Sequence, residues 1–253
     1  MILVTGAGGT VGTALVHELK AKGKQARLAF HTPVKVEQAR AAGHDAVLID
    51  YLKTETLAAA MAGVHAVFVL GAGGEVQVQG ETNVLKEAKA AGVNKLVKLS
   101  VWAADGEKYD FARIHRRIEL EIERSGLAYT LLRPNGFMQN FDNYLGDSIR
   151  GQNAIYLPAG DAKISFVDVR DIASVAALAL TSSEHDGKTY ALSGSKSLSY
   201  KEAAQILSSV LERPISYIAV DDDAAKAGMT NAGIPEFFAD HMVDLNRFYR
   251  ADG

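Results

Sequence analysis

The chain opens Ile2-Leu3-Val4-Thr5-Gly6-Ala7-Gly8-Gly9-Thr10-Val11-Gly12, an aliphatic run that passes through four glycines into a helical pattern. Ile2–Thr5 is short and largely β-branched, as a strand buried on both faces requires. Apolar residues then recur at helical spacing through Val11, Ala14, Leu15 and Leu19, and Gly23 follows as a stop. In a strand–turn–helix context the glycines have separate tasks. Gly6 permits the tight turn, Gly9 lets backbone approach a pyrophosphate, and Gly12 lets the helix pack close to the sheet. Thr10 and Val11 open the helix, whose N–H groups and positive dipole end favour phosphate. The spacing predicts a dinucleotide-binding βαβ unit.

The same alternation continues outward. Strands are expected at Ile2–Thr5, Ala26–Phe30, Ala46–Ile49, Ala66–Leu70, Lys95–Leu99 and Ala128–Leu132. Helices are expected near 11–22, 33–42, 54–61, 80–91 and 111–125, with Gly43, Gly63, Gly92 and Gly126 placed to end four of them. Repeated β–α alternation predicts an α/β fold with a Rossmann-type doubly wound parallel sheet. Beyond Arg133-Pro134 the regularity weakens: a helix near 137–149, a strand at Ile164–Val167, a helix opened by Asp168 or Asp171, a strand at Thr189–Leu192, a helix over Tyr200–Leu211, a strand at Ile215–Val220 and a helix near 235–249. The expected division is a nucleotide domain over 1–133 and a smaller α/β substrate region over 134–253.

Composition narrows the functions. The 253 residues are 48% hydrophobic, enough for a sizeable core. Thirty acidic and 27 basic residues are dispersed along the chain without a basic stripe, which argues against nucleic acid as a partner. There is no cysteine, so disulfides, thiolate nucleophiles and cysteine-ligated metals are excluded. Seven scattered histidines show no ligand spacing, and no metal is expected. No export signal and no apolar run long enough for a bilayer is read, so the expectation is a cytoplasmic protein without a membrane partner. The oligomeric state stays open.

The second strand predicts which dinucleotide. An NAD-selective site places an acid at its end, but here Ala29-Phe30-His31-Thr32-Pro33-Val34-Lys35 precedes the first acid, Glu37. His31 and Lys35 can donate to a 2′-phosphate. NADP(H) is expected in preference to NAD(H), which remains possible. After the third strand Asp50 can accept from the adenine amino group while Tyr51 flanks the ring; a turn or cap role for Asp50 is the alternative. Leu70, Gly71, Ala72 and the glycines after them keep side chains away from a ribose at the carboxyl edge of the sheet.

Three stretches now bear on family: the Gly-x-x-Gly-x-x-Gly loop, Ser125 to Pro134 (Ser-Gly-Leu-x-Tyr-Thr-x-Leu-Arg-Pro), and Phe166-Val167-Asp168-Val169-Arg170-Asp171-Ile172-Ala173. Together they resemble the atypical short-chain dehydrogenase/reductase superfamily, and within it the NmrA-like branch. That branch includes NADPH-dependent quinone reductases and triphenylmethane reductase as well as non-enzymatic NADP sensors. The resemblance implies an NAD(P)H-dependent reductase of a quinone-like or aromatic small molecule; the alternatives are a redox-sensing regulator and an isomerase or lyase on the same fold. It also implies roles. Ser100 matches the superfamily serine, and His115 falls where the superfamily lysine stands, one helical turn before Glu119. Tyr109 is followed by Arg113 where a Tyr-x-x-x-Lys pair has lysine, and arginine is not a tunable acid. Asn135 and Phe137 are expected beside the nicotinamide. Trp102, Phe137, Met138, Phe141 and Tyr144 are candidates for an aromatic-accepting substrate pocket.

Overall fold

The computed structural model describes residues 1–71, 74 and 76–252. Ala72, expected to line the cofactor, lies outside the described residues. In chain order the elements are β1 (Ile2–Val4), α1 (Thr10–Ala21), β2 (Ala26–Phe30), α2 (Pro33–Ala41), β3 (Asp45–Leu48), α3 (Thr54–Ala60), β4 (Ala66–Val69), α4 (Gln77–Ala90), β5 (Lys95–Leu99), α5 (Asp110–Glu123) and β6 (Ala128–Pro134). There follow α6 (Asn140–Asn143), α7 (Gly146–Gln152), β7 (Ala154–Leu157), β8 (Lys163–Ile164), α8 (Val169–Thr181), β9 (Lys188–Leu192), β10 (Leu198–Ser199), α9 (Tyr200–Leu211), β11 (Ser216–Ala219), α10 (Asp222–Asn231) and α11 (Glu236–Asp252).

The chain forms two compact units. The first comprises Met1–Ala104, Ile114–Pro134 and Val169–Leu192; the second comprises Asp105–Arg113, Asn135–Asp168 and the chain from Ser193 onward. In the first unit a seven-stranded sheet runs β3-β2-β1-β4-β5-β6-β9. Every neighbouring pair is parallel. The order reverses between β1 and β4, and the crevice at such a switch point is where open α/β sheets bind ligands. Leu3, Ile49, Met61, Val67, Leu96 and Ile118 belong to one buried cluster of this unit. Small residues on α8, among them Ala173, Ala176 and Ala177, are buried where that helix packs along α1.

Several expectations change in the C-terminal half. The strand near Thr189–Leu192 is β9, the seventh strand of the main sheet, and α8 returns with it to the first unit. Its own residues do not name β6 as partner, so the excursion between them is invisible locally. The helix expected near 137–149 is two short helices, α6 and α7, separated at Tyr144-Leu145. Of the strand expected over Ile164–Val167 only Ile164 falls in β8, which pairs with β10; Val167 instead forms an isolated parallel bridge to Phe137. β7, which pairs with β11, and α10 had not been anticipated. The Asp221 carboxylate caps α10 by accepting from the Ala224 N–H at 2.7 Å. Ser199 and Glu202 form a complete capping box at α9.

Candidate functional site

The glycine loop joins β1 to α1 at the switch point. Gly6 has φ +63°, the left-handed region, and its carbonyl accepts from the Gly9 N–H at 2.9 Å. A Cβ on Gly12 would stand 2.1 Å from the Gly6 oxygen and 2.9 Å from Ala7 Cα, so only glycine lets α1 start this close to the loop. The neighbouring strand end is tied in by Thr5: its hydroxyl donates to the Phe68 carbonyl at 2.9 Å and accepts from the Leu70 N–H at 2.9 Å. The N-cap of α1 is Gly9, which has no side chain to cap the helix, and no acid lies in the first turn. The positive dipole end of that first turn favours an anion. The Lys35 ammonium stands by the same loop: a Cβ on Gly8 would lie 3.4 Å from Lys35 Nζ and 3.3 Å from the Phe30 ring. This glycine-rich, acid-free loop fits a dinucleotide diphosphate.

Along the sheet edge, His31 is exposed and meets Tyr51 edge-on, with ring centroids 5.0 Å apart. Tyr51 itself is buried. Its hydroxyl donates to the Leu70 carbonyl at 2.5 Å, and burial pushes its pKa up, so the phenol stays protonated. The Asp50 carboxylate accepts from the Leu52 N–H at 3.0 Å, the turn role weighed above. Gly71 follows β4 with no room for a side chain: a Cβ there would meet Glu81 Oε1 at 2.3 Å.

Behind this edge, α5 is pinned by two buried polar clusters. Glu119 is fully buried. It accepts from Arg133 Nε at 2.9 Å and Arg133 Nη2 at 2.7 Å, from Arg116 at 3.0 Å and from the Ser100 hydroxyl at 2.6 Å. Burial alone would raise the Glu119 pKa; the Arg133, Ser100 and Arg116 hydrogen bonds outweigh it and hold the carboxyl below its ordinary range. Ser100 thus commits its one hydroxyl proton to Glu119. The other cluster is one turn away. His115 Nδ1 lies 3.2 Å from Lys98 Nζ, and its Nε2 lies 3.2 Å from the Gln77 amide nitrogen. Lys98 and Glu81 pair at 2.9 Å with neither exposed. Burial, aided by the Lys98 ammonium, holds the His115 pKa well below its usual range, so the imidazole is neutral at physiological pH. Lys98, Glu81 and Gln77 were missed in the sequence. The available signal was a lysine near the end of an aliphatic parallel strand, where both faces are buried.

Trp102, in the first unit, is half-buried, and its main-chain N–H donates to the Pro134 carbonyl at 2.9 Å. The remaining candidates belong to the second unit. Asn135 is buried, and its side-chain oxygen accepts from the Gly136 N–H and the Tyr249 hydroxyl, each at 2.8 Å. Phe137 is half-buried beside Val167; Met138 and Tyr144 are exposed. Phe141 packs into the core, its ring 5.1 Å from Phe166 and 5.8 Å from Tyr200. Tyr109 is also core: it is 2% exposed and stacks on Phe248 at 4.7 Å.

Comparison with known proteins agrees with this geometry. Residues 6–183 match the model of a family described as NAD(P)H-binding. An NAD(P)H azoreductase of Xenophilus azovorans is 36% identical over 250 residues, covering 97% of this chain and 86% of the relative. The structure of a Citrobacter sp. triphenylmethane reductase complexed with NADP(H) superposes with a TM-score of 0.86 at 27% identity, over 99% of this chain and 90% of the other. An Escherichia coli NADPH-dependent quinone oxidoreductase complexed with NADPH gives 0.87 at 26% identity, over 99% and 89%. Among the described residues no helix is long and apolar enough to cross a membrane. The glycine loop, the seven-stranded sheet and these matches together make the chain a member of the NAD(P)H-binding family, in the NmrA-like group of atypical short-chain dehydrogenase/reductases.

Proposed function

We propose that this NAD(P)H-dependent oxidoreductase reduces a quinone, azo compound or similar conjugated acceptor, with NADPH preferred over NADH. The observation that carries the acceptor class is the state of the candidate acids. Ser100 donates its hydroxyl hydrogen bond to Glu119, His115 is held neutral, and Tyr109 is packed in a core. A carbonyl substrate develops an alkoxide and needs an acid as hydride arrives. An electron-poor conjugated acceptor delocalises the charge, and its anion can take a proton from water afterwards. For such an acceptor, orientation supplies most of the rate. The bound dinucleotide supplies the hydride. The residues proposed to hold it are Gly6, Gly9, Thr10, Val11 and Gly12 at the diphosphate, His31 and Lys35 at the 2′-phosphate, and Asp50 and Tyr51 toward the adenine. Leu70, Gly71, Ser100 and His115 would border the ribose and nicotinamide. Trp102, Phe137 and Met138 remain candidates for the acceptor. Phe141 supports its surroundings from the core.

The relatives support turnover over a regulator, since those described above are named for reductase activities. The test is NADPH consumption with a quinone, an azo dye, a triphenylmethane dye and a simple ketone. Conjugated acceptors are expected to turn over at least about a hundredfold faster than the ketone, the typical contribution of a missing acid. Rapid ketone reduction, or consumption with none of the acceptors, would sink the reading.

The cofactor preference has its own expected result. Lys35→Glu replaces a charge-assisted contact worth about 1.5–3 kcal/mol, so NADPH should bind roughly ten- to a hundredfold more weakly. NADH binding should change little. Titration of both cofactors checks this, and equal losses for the two would place Lys35 away from the 2′-phosphate.

A further inference from the structure

Leu70, just past β4, is tied both to β1 and to the segment after β3. Its N–H donates to the Thr5 hydroxyl at 2.9 Å, and its carbonyl accepts from the Tyr51 hydroxyl at 2.5 Å. Its side chain lies on the turn that opens the glycine loop: a Cβ on Gly6 would stand 3.0 Å from Leu70 Cδ2 and 3.1 Å from Leu70 Cγ. Whatever fixes Leu70 therefore bears on Gly6, whose φ of +63° makes that turn.

The donors to Leu70 can be assigned. The Thr5 hydroxyl has a single proton and stands 2.9 Å from the Phe68 carbonyl and 3.3 Å from that of Leu70, so its better bond is to Phe68. Among the described residues Tyr51 is then the donor to the Leu70 carbonyl, and its buried phenol keeps the proton that this bond needs. The tyrosine is itself fixed from α4. Asn83 donates to the Tyr51 carbonyl at 2.9 Å, and a Cβ on Gly80 would stand 2.9 Å from Tyr51 Cβ, so only glycine lets the helix come this near. At 9% exposure the ring offers little open surface.

We propose that Tyr51 is a positioning residue for the phosphate loop: its hydroxyl holds the Leu70 main chain, and Leu70 in turn holds the turn at Gly6. The functional consequence rests on the cofactor reading above, in which that loop takes the diphosphate. An adenine contact would use the Tyr51 ring, whereas this role uses the hydroxyl. The diphosphate is common to NADPH and NADH, so both dinucleotides should feel the hydroxyl alike.

The experiment is a double-mutant cycle in the full-length chain with Tyr51→Phe, which keeps the ring, and Leu70→Ala, which keeps the main chain. Isothermal titration with NADPH and with NADH is read beside backbone amide exchange of Leu70 without cofactor, taken relative to core amides of β5 so that global stability divides out. Tyr51→Phe leaves a half-buried carbonyl unpaired and is expected to weaken both dinucleotides by the same factor, roughly tenfold. Leu70 should exchange about tenfold faster relative to the core, since one of its two main-chain anchors is gone. Leu70→Ala should also weaken both dinucleotides, and the paired variant should lose little more than the worse single one, because the two act in series. Unchanged affinity in Tyr51→Phe, a loss confined to one dinucleotide, losses that multiply in the paired variant, or unchanged Leu70 exchange would each overturn the role of Tyr51. Should NADPH bind a Gly12→Ala variant as it binds the wild type, the phosphate reading fails instead. The exchange measurement needs no cofactor and still tells whether the Tyr51 hydroxyl holds this main chain.

Discussion

Gly12→Ala is expected to weaken NADPH binding by about a hundredfold, the upper end of what 1–3 kcal/mol of overpacking strain produces. The reason is specific to this position. The added methyl would lie 2.1 Å from the Gly6 oxygen, 2.8 Å from the Gly6 carbonyl carbon and 2.9 Å from Ala7 Cα. All three are main chain, so no side-chain rotation relieves the collision. Either the loop moves or α1 does, and both carry the proposed phosphate ligands. Gly151→Ala provides the control. It lies inside α7, with nothing within 4 Å of the new methyl and no left-handed φ. There alanine should leave binding unchanged and add a little stability, as helix propensity dictates. Isothermal titration with NADPH, beside urea denaturation of each variant, separates binding from folding. Gly12→Ala that folds and binds as the wild type does would remove the phosphates from this loop.

Glu119→Ala should cost stability rather than affinity, by about 3–5 kcal/mol, the range for breaking a buried ion pair from one side. Arg133 would keep its charge in a largely buried position and lose a bidentate partner. Ser100 would lose its acceptor as well. The paired change Glu119→Leu/Arg133→Met removes both charges and should recover a good part of the loss. The sign of the pH dependence follows from the depressed Glu119 pKa. A carboxyl that ionises more readily folded than unfolded contributes its full stabilisation above the unfolded pKa, about 4.3. That contribution falls as pH drops through the lower folded value. The wild type should therefore lose stability into the acid range more steeply than the paired variant. Denaturation midpoints from neutral pH down to the acid transition measure it, and parallel curves for the two proteins would show that Glu119 is not ionised and clamped.

The two expectations draw on different parts of the molecule, and the sequence had foreseen them unequally. Gly12 could be read in advance because its constraint is local. A strand, a turn and a helix within a dozen residues leave few conformations, and the glycine pattern reports the backbone approach directly. The same holds for β1 to β6, whose aliphatic runs and glycine stops mark their own ends. The basic His31–Lys35 segment was equally legible, because the end of the second strand is a fixed distance from the loop.

Local signals ran out where partners are distant in sequence. Nothing within Lys188–Leu192 says that it completes the main sheet beside β6, and nothing around 137–149 says that the helix breaks in two. The chemistry of the site was divided in the same way. Ser100 and His115 were singled out by the family resemblance, but their states are set by Glu119, Arg133, Lys98, Glu81 and Gln77, contributed by α4, α5, β5 and β6. By itself the sequence determined the parallel sheet, the dinucleotide loop and the absence of thiol chemistry. Only the tertiary structure decided that the Ser100 hydroxyl is committed to Glu119, that Tyr109 is core and that His115 stays neutral, because protonation and hydrogen bonding follow burial and charge neighbours brought together by folding.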